Sequence, residues 1–592
     1  MQFPMLNRET TSRDFIEAFG GYNHNLRIGN SEFYDMKNLT SSHYPLLSPR
    51  QQRGLFRGTG NAPRCLLEKD ALCFVYQSGI DLYFVMNQYV YHLGTTSVAE
   101  DVERKLISMG AYVIVMPDKK YINTIDTNDK GNIEAEITTP NGAEVKFTLC
   151  SSDGTDYNIN MTSPNEPEEP TNKMIWLDTS GDTPSLKQYS EASGMWIAIA
   201  STYIKIACHG SSLGKAFEQY DGVTISGVTV NGLEDLNSTM FIWDKGDDYI
   251  VVVGILDDVD GASQTTSIKI SRFMPEMDFI IESNNRLWGC RYGLNRDGDV
   301  VNELYACKQG DFKNWNCFMG ISTDSYYVSL GTDGQFTGAF SYLGQPTFFK
   351  ENCVHVVYGN YPAEYQVQDT ACRGVQKGSE KSLSMVNEVL YYKSRTGICA
   401  YNGSLPMEIS AVFGDKAYSN AVACGHKNKY YISMKDISIN RYVLFVYDVE
   451  KGMWHKEDEM QSKCFCPVDE EIYYIDENDA IRTIFGSGVK DTEPIKWMAE
   501  TGIMGVNAPD KKYISRLSIR LSMEIGTRIY IYIQYDSNGD WESVCQLTGH
   551  NLRTFTLPIK PKRCDHLKLR IEGEGNAKIY SLSKTVEIGS DI

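Results

Sequence analysis

The chain has 592 residues and a formal net charge of −19, from 57 basic and 76 acidic side chains. That balance argues against a sequence-reading nucleic-acid binder, which needs basic patches to displace counterions, and against a protein held on an anionic membrane surface. With 42% hydrophobic residues the core can be large, and 37 Tyr with 49 Gly point to many strands joined by tight turns. No run of 18 apolar residues marks a membrane-spanning helix.

Residues 1–60 read as an extended arm, because FGGYNHNLRIGNSEFYDMKNLTSSHYPLLSPRQQRG holds no sustained period. From residue 64 strand-like runs begin: RCLLEKDALCFVYQ, DLYFVMNQYVYHLG and AYVIVMPDKKYINTID, separated by polar turns. Residues 97–109, SVAEDVERKLISM, are the helical candidate of this region. The composition changes over about 128–190. There NIEAEITTPNGAEVKFTL predicts a hairpin around Asn141-Gly142. TSPNEPEEPTN, with three Pro and three Glu, predicts a loop, and the block reads as an insertion.

Strands resume at GMWIAIASTYIKIAC and continue through YIVVVGIL, RLWGCRYG, PTFFKENCVHVVYG, RYVLFVYDVEKGMW and IRTIFG. So long a field of short strands exceeds one sandwich and predicts a β-propeller over 61–490, of about five to seven blades. Tyr401-Asn402-Gly403, Tyr447-Asp448 and Tyr474-Ile475-Asp476 fit a degenerate blade repeat. Residues 491–592 alternate polar and apolar positions around an Asn538-Gly539 turn, which predicts a small C-terminal β-sandwich. The expected fold is all-β: an N-terminal extended arm, a β-propeller core with an inserted β/loop region, and a C-terminal β-sandwich.

Few motifs carry chemistry. Gly210-Ser211-Ser212-Leu213-Gly214 fits a nucleophile elbow with Ser212 as nucleophile, but that elbow belongs to a parallel α/β sheet, so a plain turn is expected. Asn295-Arg296-Asp297-Gly298-Asp299 begins like a calcium loop, yet Val300 replaces the turn glycine. In Asp126–Gly131, Lys130 replaces an oxygen ligand and Ile137 the bidentate Glu, so both segments read as hairpin turns. The nine His never cluster at ligand spacing. The 15 Cys are scattered from Cys65 to Cys564, and the opening MQFPMLNRETTSRDF lacks an apolar signal region. Free thiols in a reducing cytoplasm are therefore expected. Cys464 and Cys466 would share one strand face, without metal partners at ligand spacing. No catalytic, cofactor-binding or metal-binding residue is assigned. The repeated Ser-x-Asp-x-Gly-x-x-Trp box of sialidases is missing, and Asp311 with Trp315 reads as a blade turn that packs Trp315 between sheets.

Asn285-Arg286-Leu287-Trp288-Gly289, Leu304-Tyr305-Ala306 and Gly310-Asp311-Phe312-Lys313-Asn314-Trp315 resemble the propeller core of phage tail nozzle and tail-hub proteins, with Cys307 where that family has Ser. Phe348-Phe349-Lys350-Glu351, Val354 to Gly359, and Gly397 to Gly403 are similar to its following strands. Phe19-Gly20-Gly21-Tyr22-Asn23, Asp35 to Leu39 and Tyr44 to Arg50 resemble its entry arm, and Ile571 to Gly575 with Glu587-Ile588-Gly589-Ser590 its closing sandwich. The resemblance implies a non-enzymatic virion protein: a homo-oligomeric ring at the tail, joined to portal and adaptor proteins and to tail fibre or spike proteins. Genomic DNA would pass through its lumen, and the ring would be assembled in the host cytoplasm. The arm would tie neighbouring subunits or the adaptor. Two alternatives stand beside it, a host-surface glycan-binding propeller and a glycosidase-type propeller enzyme.

Overall fold

The computed structural model describes residues 11–256, 262–296, 298–505, 512–560 and 562–588. Apart from four short 3₁₀ turns, the regular structure of the described residues is β-strand. Seven antiparallel sheets, here called ring sheets 1 to 7, follow one another along the chain. They span residues 65–95, 105–132, 279–329, 336–371, 384–408, 418–456 and 464–490, and the last also takes in Gly54–Arg57. Each is a simple meander, and the turn chemistry makes it so. Asn87-Gln88, Asn284-Asn285, Leu343-Gly344 and Asn387-Glu388 all hold two successive positive φ angles, the two-residue turn whose twist matches paired strands.

The inner strands of these sheets are buried on both faces, so they read as apolar runs, whereas outer strands such as Tyr89–Thr95 and Gln366–Ala371 are largely exposed. Each neighbouring pair of sheets shares a cluster. Val75 and Phe84 of sheet 1 meet Leu106 and Val113 of sheet 2. Ile114 meets Ile280 and Leu287 of sheet 3. Trp288 meets Phe336 and Phe348 of sheet 4, and Phe349 meets Leu390 and Tyr392 of sheet 5. Tyr391 packs with Tyr430 of sheet 6, and Leu444 with Ile472 of sheet 7. Finally Cys466 and Ile475 of sheet 7 meet Leu66 and Phe74 of sheet 1, so the series returns to its start. Phe84, Phe348, Phe349 and Phe445 are fully enclosed. Each such side chain contributes about 1.5–3 kcal/mol by leaving water.

Sheet 7 is completed from the other end of the chain. Gly54–Arg57 hydrogen-bonds between Ile481–Thr483 and Val489–Lys490. Gly54 is required there, since a Cβ would lie 2.1 Å from the Ser487 carbonyl oxygen. The arm before it also finds its partners within the chain. Thr11–Ile16 pairs with Ala577–Ile588, and Phe33–Lys37 pairs with Lys496–Thr501. Tyr22 donates its amide to the Trp454 carbonyl at 2.6 Å. Arg53 is clamped between Asp458 (2.8 Å) and Glu457 (3.1 Å), and Arg50 reaches Asp458 at 3.0 Å. The described part of the arm thus pairs with strands of its own chain.

Between ring sheets 2 and 3 the chain leaves to build three further sheets from strands between Ala135 and Arg272. The composition change ended near 190, but the strands after it belong here too, because Tyr203–Cys208 pairs with Val145–Cys150. Two expectations are corrected. Ala135–Thr138 and Val145–Cys150 do not form a hairpin about Asn141-Gly142. The first pairs with Lys269–Arg272 and the second with Tyr203–Cys208, because the Gly142 and Thr139 amides bond to Thr265 and Ile268 carbonyls instead. Residues 97–109 are not helical. Arg104, 2% exposed, is drawn inward by Asp118 (2.9 Å), the Gln77 amide and the Val102 carbonyl (3.2 Å), and Lys105–Met109 then opens ring sheet 2.

The last hundred residues form two sheets, one completed by Thr11–Ile16 and the other by Phe33–Lys37. They share one core, in which Ile519 and Leu521 of one sheet join Ile531 and Leu569 of the other, together with Tyr22, Met36 and Trp454. The hairpin at Asn538-Gly539 is present, joining Arg528–Tyr535 to Glu542–Thr548.

Two predictions follow from these buried charges and rings. Arg53→Ala strands Glu457 and Asp458 without their counter-ion and should cost about 3–5 kcal/mol, read as a lowered Tm beside an unchanged far-ultraviolet spectrum at 20 °C. The second concerns two enclosed histidines. Burial pushes His355 down to about 4 and His455 to about 3. Folded, both stay neutral where the unfolded chain takes up protons, so stability is full above the ordinary histidine pKa of about 6.5 and is lost as pH falls through it. Melting at pH 7.5, 6 and 5 should reveal a loss approaching about 1.4 kcal/mol per histidine per pH unit below 6, and His355→Gln should flatten that slope.

Candidate functional site

The seven ring sheets converge on one space. The first strands Cys65–Glu68, Lys105–Met109, Phe279–Ser283, Phe336–Tyr342, Tyr418–His426 and Cys464–Val468, with the turn Glu380–Ser382 before the first strand of sheet 5, contribute the walls of a cavity of about 710 Å³. A recess of about 320 Å³ opens beside it and shares Arg64, Glu103 and Lys381. A space of that size suits a small ligand.

The wall is mixed in charge, and most of its charges are already committed. Lys381 reaches Glu103 at 2.8 Å and donates to the Lys463 carbonyl at 2.7 Å. Burial works against the Lys381 ammonium, but Cys464 and Glu103 outweigh it and raise its pKa. Lys105 donates to the Ile280 carbonyl at 2.7 Å, and burial lowers its pKa. Asp278 holds Arg291 at 2.9 Å and the Tyr292 amide at 2.8 Å, while Glu282 caps the Asn284-Asn285 turn through the Asn285 amide at 2.8 Å. Three of the carboxylates are therefore spent on structure.

Two thiols stand on this wall. Cys65 opens ring sheet 1, Cys464 opens ring sheet 7, and the two strands are in contact. Hydrogen bonding from Cys65 lowers the Cys464 pKa against the effect of burial, and Lys381 adds to the lowering. The same hydrogen bond and burial raise Cys65. Cys464 and Cys466 do share a face toward ring sheet 1, as alternation requires. The partner of Cys464 is nevertheless Cys65, from the far end of the ring, and no spacing in the sequence links the two.

The other candidates fall into turns. Ser212 lies at φ 55° in the connection from Tyr203–Cys208 to Tyr249–Val253, two strands separated along the chain but antiparallel in one sheet. Asp248 caps that turn, taking the Gly210 amide at 2.8 Å and the Ser212 amide at 2.9 Å, and His209 beside it is fully exposed. In the 126–131 turn, Asp126 accepts the Asn128 amide at 3.1 Å, and Asp129 accepts the Tyr112 hydroxyl at 2.8 Å. Asp297 of the second loop lies outside the described residues, as do Gly589 and Ser590. Among the described residues no three His, Cys, Asp or Glu gather as a metal site.

The residues that prompted the resemblance hold sheets together. Arg286, 1% exposed, donates to the carbonyls of Cys307 (2.8 Å), Ser322 (2.9 Å) and Asp324. Trp288 and Trp315 are enclosed in separate clusters, one on each side of ring sheet 3. Lys350 donates to Asn302 at 3.0 Å and to the Thr332 carbonyl at 2.7 Å. Asn314 is the link to the three inserted sheets. Its amide donates to Asp221 (2.8 Å) and Asp311 (2.6 Å), and its oxygen accepts the Gly222 amide (2.9 Å). Asp221 in turn pairs with buried Arg272. Gly222 has no room for a side chain, since a Cβ would lie 2.8 Å from the Asn316 carbonyl oxygen.

No family model and no curated protein sequence matches this chain. Among solved structures it has similarity to the computationally designed Ika8 protein, at 10% identity over 73% of this chain and 99% of that one, with a TM-score of 0.31. An exo-β-1,3-galactanase from Phanerochaete chrysosporium with galactose is 11% identical over 52% and 94% of the two chains, with a TM-score of 0.21. The phage phi92 endosialidase is 11% identical over 74% and 67%, with a TM-score of 0.23. Superpositions this loose assign no activity to the chain.

Asn314→Ala should loosen the inserted sheets specifically. It leaves the buried Gly222 amide and Asp221 short of partners, a loss of about 2 kcal/mol or more. Limited proteolysis should cut between 128 and 275 faster than in the wild type, with the remaining ring fragment as resistant as before.

Proposed function

We propose that the seven ring sheets are the blades of a closed β-propeller, carrying an inserted domain and a C-terminal β-sandwich, and that the protein is a structural component of a tailed bacteriophage virion. In this reading it is a subunit of a homo-oligomeric tail nozzle or hub ring, bound to the portal and adaptor proteins on one side and to tail fibre or spike proteins on the other. The observation that carries the reading is the use made of the resemblance residues. All of Arg286, Trp288, Asn314, Trp315 and Lys350 are 3% exposed or less; Arg286 ties together the loops of ring sheet 3, and the other four join one sheet to the next or to the inserted sheets. They are the parts of a scaffold, which supports a structural role. A cavity of about 710 Å³ is far too small for duplex DNA, so the DNA channel of this proposal lies between subunits. The net charge of −19 suits a wall along which DNA slides without sticking.

A specific feature favours glycan binding as the second reading. In the inserted region Trp176, Tyr189 and Trp196 share one sheet face, with the Trp196 ring centroid 5.3 Å from that of Trp176 and 5.3 Å from that of Tyr189, and the Lys187–Asp178 ion pair (2.6 Å) beside them. Trp176 is buried and backs the other two, while half-buried Tyr189 and Trp196 offer a sugar a stacking surface and the charged pair offers hydrogen bonds.

Immunogold microscopy on intact phage particles, with an antibody to the C-terminal sandwich, tests the first reading. Label confined to ring-like density at the tail or neck is the expected outcome. Protein free in the lysate with no label on particles would overturn the structural reading and bring the glycan-binding one forward.

A further inference from the structure

The join of the ring holds a thiol pair whose chemistry the scaffold does not use. Ring sheets 7 and 1 are the last and first of the series, and they meet through their own first strands, Cys464–Val468 and Cys65–Glu68. Both strands begin with a cysteine, both cysteines line the central cavity, and the two strands pack against each other. We propose that Cys65 and Cys464 form an oxidant-made disulfide that closes the ring covalently across this join.

The surroundings divide the work between the two sulfurs. Lys381, fixed by Glu103 at 2.8 Å and by the Lys463 carbonyl at 2.7 Å, places its ammonium beside Cys464. The thiolate is the nucleophilic form of cysteine, and a nearby cation favours it. Cys464 is only half-buried and borders a cavity that a small oxidant can enter, whereas Cys65 is 6% exposed. Cys464 is thus the attacking sulfur and Cys65 the resolving one.

The oxidant is hydrogen peroxide, and the step balances as follows. The Cys464 thiolate attacks one peroxide oxygen, the O–O bond breaks, and the departing hydroxide takes a proton to become water. Cys464 is then a sulfenic acid. The Cys65 sulfur attacks the Cys464 sulfur, the S–S bond forms, the S–O bond breaks, and the hydroxide leaves with the Cys65 proton as a second water. Two thiols are oxidised and one peroxide is reduced to two waters. In a reducing cytoplasm the pair stays open, and outside it the pair closes. The inference is independent of what the ring binds.

The test uses the full-length protein, purified reduced and then exposed to stoichiometric hydrogen peroxide. Differential alkylation and mass spectrometry of non-reduced peptides follow all 15 cysteines. The expected result is a Cys65–Cys464 linked peptide that forms before any other cysteine is modified. It should be accompanied by a rise in Tm of about 5 °C, as a cross-link over so long a loop implies, reversed by a reductant. In Cys65→Ser, Cys464 should stop as a sulfenic acid that dimedone traps, with no gain in Tm. A wild-type protein that stays folded but forms a different disulfide first, or carries Cys464 to sulfinic acid without the linked peptide, would overturn the proposal. The wild-type result decides the matter even if the variant fails to fold.

Discussion

A row of sheets packed face to face leaves two apolar faces in water, one at each end, unless the two ends meet. In this chain those faces belong to ring sheets 7 and 1, and burying Cys466 and Ile475 against Leu66 and Phe74 is the contact on which the rest depends. The join is made twice over. The apolar cluster is one fastening, and the strand Gly54–Arg57, which gives its hydrogen bonds to sheet 7 just before the chain enters sheet 1, is the other. The buried Arg53 beside Glu457 and Asp458 fixes the position at which that strand enters.

From the join outward, the remaining parts are positioned by single buried links. The arm reaches back over sheet 6 through Tyr22 and Trp454 and then completes both C-terminal sheets, so the two ends of the chain are folded as one body with the ring. The inserted sheets are held to ring sheet 3 through Asn314 and Asp221, and beside ring sheet 2 through Arg272, which donates to the Ile133 carbonyl. Each link places polar or charged groups out of water, and each is satisfied by several partners, as such burial requires. The central cavity is a by-product of six first strands and the turn before the seventh meeting, and most of the charges on its wall already have partners.

Much of this was legible in the sequence, because strand periodicity and turn residues are local. The all-β class, the Asn538-Gly539 hairpin and the packed role of Trp315 all rest on residues close in the chain. What was not legible depends on distant partners. Asn141-Gly142 looks like a hairpin turn, but residues near 265–268 compete for its backbone and win. The helical spacing of 97–109 gives way to a buried Arg104 whose partners are Gln77 and Asp118. The nearness of the Cys65 strand to the Cys464 strand could not be read either, since nothing in the sequence says that the first and last sheets meet there.

The strand that closes the ring has a consequence for how the protein is made. Residues 54–57 leave the ribosome early, but their hydrogen-bonding partners, Ile481–Thr483 and Val489–Lys490, leave it near the end. At about 5–20 residues per second, the closing strand waits for tens of seconds with its backbone unpaired. Throughout that interval the nascent chain carries an open sheet edge and an apolar face, the features that invite wrong pairing between chains. Ring sheet 7 is therefore completed only when the last strands have been made, and until then the edge of Gly54–Arg57 is open to pairing with other chains.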